Sequence, residues 1–140
     1  MLDGPQEGRM PIRVLLVDDH IVILERIRQL LSSEFVVVAT ASDGLEMLSA
    51  CVRDNPDVVV TDITMKGLNG IEASRKLLQI RPGTPIVVLS IHREPEVVQG
   101  ALEAGAMAFV NKFSVGEDLI PAIHSVLEGR RFVSDSCTAK

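Results

Sequence analysis

The sequence contains no tryptophan, no tyrosine and only four phenylalanines in 140 residues. A flavin sandwich or a stacking platform for single-stranded nucleic acid needs more rings than that, so both are disfavoured at the outset. Two cysteines, Cys51 and Cys137, are too few for a disulfide scaffold, and neither has metal-ligand spacing. Apolar runs such as Ile21–Leu24 and Phe35–Ala39 fall far short of the ~18 residues of a membrane helix. The first ten residues, with acids, glycines and a proline, contain no apolar stretch of the kind a signal peptide needs. Positive charge is also in deficit: 14 Lys+Arg against 19 Asp+Glu leave a net charge of −5. Such a chain has no bulk attraction for DNA or anionic lipid. These absences leave a cytoplasmic domain that does not engage a membrane. An apolar content of 46% excludes intrinsic disorder, and the length suits one domain with a real core.

Five short aliphatic runs are present: Ile12–Val17, Phe35–Thr40, Val58–Thr61, Ile86–Ser90 and Ala108–Val110. They are β-branched and nearly continuous, as expected of strands buried on both faces. Segments with helical spacing separate them. His20–Leu31 aligns Leu24, Ile27 and Leu31; Gly44–Arg53 aligns Leu45, Leu48 and Val52; Gly70–Ile80 aligns Ile71, Leu77 and Leu78. Pro95–Ala104 starts on a proline and stops at Gly105, a good first position and a good terminal cap. Ser114–Glu128 opens with a capping-box pattern, Ser114 to Glu117, and carries Pro121 inside, which predicts a kink or a late start. Asp43-Gly44 reads as the start of the second helix.

Five strand–helix units in a row predict an α/β fold, a flavodoxin-like (βα)5 doubly wound parallel sheet of strand order 2-1-3-4-5. The expected organisation is a disordered extension over 1–11, a single domain over 12–133 and a tail over 134–140. The segment from about Arg130 to Lys140 reads as a loose end.

In such a sheet, ligands bind beyond the carboxyl ends of the strands. Asp18 and Asp19 follow the first run, Asp62 ends the third, Ser90 ends the fourth and Lys112 follows the fifth. Asp57, at the opposite end of the third run after Asn55-Pro56, reads as a turn residue. Three carboxylates brought together repel one another unless a cation neutralises them. Hard divalent cations with oxygen ligands, Mg²⁺ or Mn²⁺, fit that set. A carboxylate beside such a metal and a lysine can accept a phosphoryl group, while Lys112 and Ser90 offset or bind charge on its oxygens.

The stretches Val14-Leu-Leu-Val-Asp-Asp-His20, Val58-Val-Val-Thr-Asp-Ile-Thr-Met65, Val87-Val-Leu-Ser90 and Ala104-Gly-Ala-Met-Ala-Phe-Val-Asn-Lys112 resemble, in order and spacing, a response regulator receiver domain of two-component signalling. The resemblance runs from about Ile12 to Val133. The Asp-Asp-His opening, the Asp62-Ile-Thr-Met65 segment followed by Gly67-Leu-Asn-Gly70, and the Gly129-Arg-Arg-Phe-Val-Ser134 tail are most similar to the NarL/FixJ subfamily. The resemblance implies a non-enzymatic phosphoacceptor with Asp62 as the acceptor. It implies Mg²⁺ held by Asp19, Asp62 and the backbone carbonyl of Thr64, with Asp18 acting through water. Ser90 and Lys112 would contact the phosphoryl oxygens, and Ser90 with Phe109 would form the switch that reshapes the helix 4–strand 5–helix 5 surface. It implies a sensor histidine kinase as phosphoryl donor, while a homodimer on phosphorylation stays open, with the helix 4–strand 5–helix 5 face and helix 1 as candidate faces. Lys66 stands where the family commonly has proline, and Phe113 where many receivers have a cis proline.

Alternatives remain beside this reading. Asp18-Asp19 alone would be a turn and helix cap, Ser90 a strand-end serine, Lys112 a solvated lysine and Phe109 plain core. His20, His92 and His124 read as surface or cap residues, and Cys51 as half-buried in its helix. Ile21 and Val22 fall outside the buried stripe of the first helix, so they are read either as a kinase docking patch or as residues covered by loops. A flavodoxin-like cofactor binder lacks a hydroxyl- and glycine-rich loop after the first strand. An aspartyl phosphatase needs Asp-x-Asp, whereas position 20 is histidine. A receiver-like interaction module that ignores phosphate is the remaining rival. Only twelve residues, Gly129–Lys140, follow the last helix. DNA binding is therefore expected of an output domain in a longer protein that controls transcription, not of this chain.

Overall fold

The computed structural model describes residues 11–64 and 69–137. Within them run β1 (Ile12–Val17), α1 (Ile21–Leu31), β2 (Phe35–Ala41), α2 (Gly44–Asp54), β3 (Val58–Asp62), α3 (Gly70–Ile80), β4 (Ile86–Ser90), α4 (Pro95–Glu103), β5 (Ala108–Asn111), α5 (Val115–Leu127) and β6 (Phe132–Val133). A 3₁₀ turn, Lys112–Ser114, leads into α5, and another, Asp135–Cys137, follows β6.

All strands pair in parallel, in the order β2-β1-β3-β4-β5-β6. The expected 2-1-3-4-5 order is present, with one strand added at its end. Both faces of the sheet are covered, which is why β3 and β4 are buried along their whole length. One layer packs Met47, Cys51, Ala73, Leu77, Val98 and Ala101 of α2, α3 and α4 against Leu15, Val59, Val88 and Phe109. The other packs Ile27 and Leu31 of α1 and Leu119, Ile123 and Val126 of α5 against Leu16, Val60 and Leu89. Each Val, Leu, Ile, Met or Phe side chain so withdrawn from water contributes roughly 1.5–3 kcal/mol.

Local sequence explains most element ends. The Asp43 side chain accepts from the Glu46 N–H at 2.9 Å, and Asn69 does the same for Glu72 at 2.9 Å. Pro95 opens α4, and Gly105, at φ 111°, ends it in a conformation that side chains avoid. Along β2 the register slips by one: Val14 faces Val37 but Leu15 faces Ala39, so Val38 is an extra residue in the edge strand.

Several expectations are corrected. In α2 the buried face is Met47, Ala50 and Cys51, not the stripe through Leu45, Leu48 and Val52. Leu45 and Val52 are 68% and 66% exposed, and Leu48 is partly buried. Both stripes have helical spacing, and the one with the smaller side chains lies against the sheet. Cys51 is accordingly fully buried. No capping box forms at Ser114, whose hydroxyl goes to Asp118 at 2.9 Å instead. Helix α5 begins at Val115 and continues past Pro121, so it does not start late. The segment after α5, read as loose, is packed as far as it is described. Ser134 N–H donates to Phe109 O at 2.9 Å, and Ser134 and Cys137 are buried. Asp57 does lie in a bend before β3, as a turn residue should, and it also ties the far end of the sheet to β1, accepting the Arg13 N–H at 2.8 Å.

Candidate functional site

The carboxyl ends of β1 and β3 lie side by side, and the Lys112 side chain, just past β5, reaches the carboxylates that follow them. Asp18 continues β1, its N–H donating to Ala41 O at 3.0 Å. Its side chain is fully buried and satisfied on both oxygens. Oδ1 accepts the His20 N–H at 2.9 Å and faces His20 Nδ1 at 3.1 Å, and Oδ2 accepts Lys112 Nζ at 2.8 Å. Asp62, the last residue of β3, lies with Oδ1 3.3 Å from the same ammonium. One lysine, almost wholly enclosed, thus bridges two buried carboxylates.

Burial pushes the Asp62 carboxyl above the usual range. Lys112 and a Thr64 backbone N–H pull it down, and Asp18 pushes it up. Asp19 completes the cluster. Its Oδ1 is buried and receives no hydrogen bond; His20 Nδ1 sits 3.0 Å away, without hydrogen-bonding geometry. Oxygens of Asp18, Asp19 and Asp62 and a ring nitrogen of His20 all lie within 4.8 Å of one another. A divalent cation fits this donor set on the evidence of the orphaned Asp19 oxygen and of repulsion that a single ammonium only partly offsets. A groove of about 410 Å³ at the opposite edge, lined by Pro56, Asp57 and Arg81–Pro85, gathers no such set.

Other expected residues fall around the cluster. Ser90 is buried at the end of β4, one step past the Leu89 that faces Asp62, and its Oγ accepts the His92 N–H at 2.9 Å. Phe109 is already fully buried, in the same apolar cluster as Cys137 and Val133 of the tail. Thr64 is exposed directly after the site. Ile21 and Val22 are 80% and 68% exposed. Lys66 lies outside the described residues.

The sequence reading had His20 as a surface or cap residue. It is the N-cap of α1, and its ring turns toward the carboxylates. Adjacency to Asp19 was the available signal. In sequence Gly70 reads as the start of a helix and as part of a stretch that carries the family resemblance. A Cβ there would lie 2.1 Å from the carbonyl oxygen of Asp62, so α3 approaches the site at backbone distance.

Two curated relatives illustrate what the chain resembles. It is 34% identical to the transcriptional regulatory protein DegU of Brevibacillus brevis over 95% of this chain and 57% of that protein. It is 34% identical to the response regulator UvrY of Escherichia coli K12 over 88% of this chain and 57% of that one. The chain therefore spans a little over half the length of these relatives. Among solved structures, a LuxR-family two-component response regulator from Aurantimonas sp. SI85-9A1 matches with a TM-score of 0.88 at 35% identity, covering 91% of this chain and 93% of that one. The signal receiver domain of the putative response regulator NarL from Mycobacterium tuberculosis matches with a TM-score of 0.82 at 30% identity, covering 87% and 100%. The family model for the response regulator receiver domain matches residues 14–124. With its acidic cluster at the carboxyl edge of a 2-1-3-4-5 sheet, the chain belongs to the response regulator receiver domains, signalling modules rather than enzymes.

Proposed function

We propose that Asp62 accepts a phosphoryl group from a phosphohistidine on a sensor histidine kinase, and that this modification sets the state of an output. The carrying observation is the buried Asp62 carboxylate held beside the Lys112 ammonium, with Asp18 and the orphaned Asp19 oxygen facing it. In the transfer, an Asp62 oxygen forms the new O–P bond as the N–P bond breaks, and the histidine nitrogen leaves with the electron pair. Lys112 offsets charge on the phosphoryl oxygens, and Ser90 supplies a hydroxyl to one of them. Asp18, Asp19, Asp62 and the Thr64 carbonyl would hold Mg²⁺ (Mn²⁺ in its place), which when bound neutralises negative charge around the acceptor.

The switch is assigned to Ser90 and Phe109. Because Phe109 is already buried, it acts by repacking, not by entering from solvent. The exposed pair Ile21 and Val22 beside the acidic edge forms the kinase docking patch. The receiver unit is taken from Ile12 through the packed tail to Cys137, beyond the Val133 limit expected from sequence. The chain is proposed to act in the cytoplasm, which suits its two free, buried cysteines. Among the described residues no helix is long and apolar enough to cross a membrane. Phosphorylation is proposed to favour a homodimer. Control of transcription belongs to an output domain of a longer protein, since the net charge of −5 disfavours DNA binding by this chain.

Intact mass after incubation with acetyl phosphate and Mg²⁺ tests the assignment. The wild type is expected to gain about 80 Da, one phosphoryl group by this aspartyl chemistry, and Asp62→Asn none. Normal labelling of Asp62→Asn would refute Asp62 as acceptor.

A further inference from the structure

We propose that Asn111 is a positioning residue that aims Lys112, and that through it the C-terminal segment Phe132–Cys137 senses what occupies the acidic site. Asn111 is buried and directly precedes Lys112. Its polar groups work in two directions. Toward the site, its Oδ1 accepts the Phe113 N–H at 2.8 Å, which shapes the 3₁₀ turn Lys112–Ser114 and fixes where the Lys112 stem starts. Toward the tail, its backbone N–H donates to Ser134 Oγ at 3.1 Å, and its side-chain amide donates to Ser136 Oγ at 3.0 Å.

A second bridge runs in parallel with the first. Asp118 Oδ2 accepts Ser114 Oγ from the turn at 2.9 Å and Ser134 Oγ from the tail at 2.7 Å. The turn that carries Lys112 and the tail are therefore fastened to each other at two points. Phe109 O and Cys137 lock the same tail onto β5 and the apolar core. An ammonium on a four-carbon stem has many rotamers, and holding it between Asp18 and Asp62 costs side-chain entropy. Fixing the root of the stem lowers that cost, so a docked tail favours the aimed lysine. A phosphoryl group at Asp62 recruits the same ammonium, and by linkage it must then strengthen tail docking by the same factor.

The linkage half rests on the phosphoacceptor reading; the aiming half does not, and the two are read separately. In ¹⁵N spectra of side-chain ammonium groups, the full chain should show a slowly exchanging Lys112 signal, identified by its loss in Lys112→Met. Asn111→Ala should abolish that signal without any ligand. Titration with Mg²⁺ and beryllofluoride, a phosphoryl mimic, should give about tenfold weaker binding for Asn111→Ala. Ser136→Ala, at an exposed position that leaves the fold intact, should weaken binding about two- to fivefold, as for one lost hydrogen bond. Beryllofluoride should slow hydrogen exchange of the amides from Phe132 to Cys137 in the wild type. An intact Lys112 signal in Asn111→Ala, or affinities of both variants within twofold of wild type, overturns the proposal. A wild type that ignores beryllofluoride refutes the phosphoacceptor reading and the linkage with it, while the ammonium signal still decides the aiming role.

Discussion

Replacing Lys112 with methionine keeps an apolar stem and removes the cation that two buried carboxylates share. Asp18 Oδ2 would lose its 2.8 Å partner and Asp62 Oδ1 its 3.3 Å partner, with Asp18 fully buried and Asp62 nearly so. Breaking a buried pair from one side costs about 3–5 kcal/mol, because the stranded charge pays its desolvation uncompensated. The lower end applies here, since Lys112 itself keeps some contact with solvent. A loss of about 3 kcal/mol lowers the melting temperature by roughly 10 °C for a domain of this size. The effect should depend on pH. Burial already raises the Asp62 carboxyl and Lys112 holds it down, so the substitution lifts it further. A carboxyl raised in the folded state destabilises at neutral pH, and stability returns as pH falls through its folded value. The variant should therefore lie closer to the wild type at pH 5 than at pH 7. Mg²⁺ competes with Lys112 for the same oxygens, so saturating Mg²⁺ should raise the variant's melting temperature more than the wild type's. Melting followed by circular dichroism at both pH values, with and without Mg²⁺, reads all of this. A variant as stable as the wild type at pH 7 without Mg²⁺ would refute the view that Lys112 holds this cluster together.

Gly70→Ala would force a Cβ to 2.1 Å from the Asp62 carbonyl; moving α3 away should cost at least about 2 kcal/mol and impair labelling at Asp62, and an alanine variant with normal melting and normal labelling would show that α3 has slack there. Burial pushes the Cys51 thiol up to about 11 from 9.0, against a smaller opposing pull from Arg81. The unfolded chain then releases its proton first, so stability should fall by about 2 kcal/mol as pH rises from 9 to 11. Cys51→Ala should lower stability by a constant amount below pH 9 and flatten the slope above it; an unchanged slope in denaturant titrations would assign it to another group.

The carboxyl-edge cluster was legible because the sheet type follows from five β-branched runs, and the topology then dictates which end of each run matters. Asp18, Asp19, Asp62 and Lys112 needed only that inference. The added β6 was not legible. Two residues carry no periodicity, and Phe132–Val133 is held by the free edge of β5 and by the Ser134–Asp118 contact, which are properties of the folded neighbour. The same holds for Asn111, whose ties to the tail reach Ser134 and Ser136, 23 and 25 residues away. The α2 face was misread for another reason. Leu45 and Val52 follow the helical period as well as Met47 and Cys51 do, and only the space above the sheet separates the two. At Ser114, a local pattern lost to a longer-range partner, because Asp118 also collects Ser134.

The extra residue in β2 bears on solubility. With β6 capping the opposite side, β2 is the sheet's other boundary, and its backbone groups are a template on which a second chain could add a strand. Val38 interrupts that template by standing between the residues that face Val14 and Leu15. Deleting it would leave every pairing on the β1 side in place and turn Phe35–Ala41 into a border with no irregularity. The shortened chain should fold with its core intact and then polymerise edge to edge, visible as concentration-dependent light scattering. If it stays monomeric, the irregularity at Val38 is not what keeps this border from recruiting neighbours.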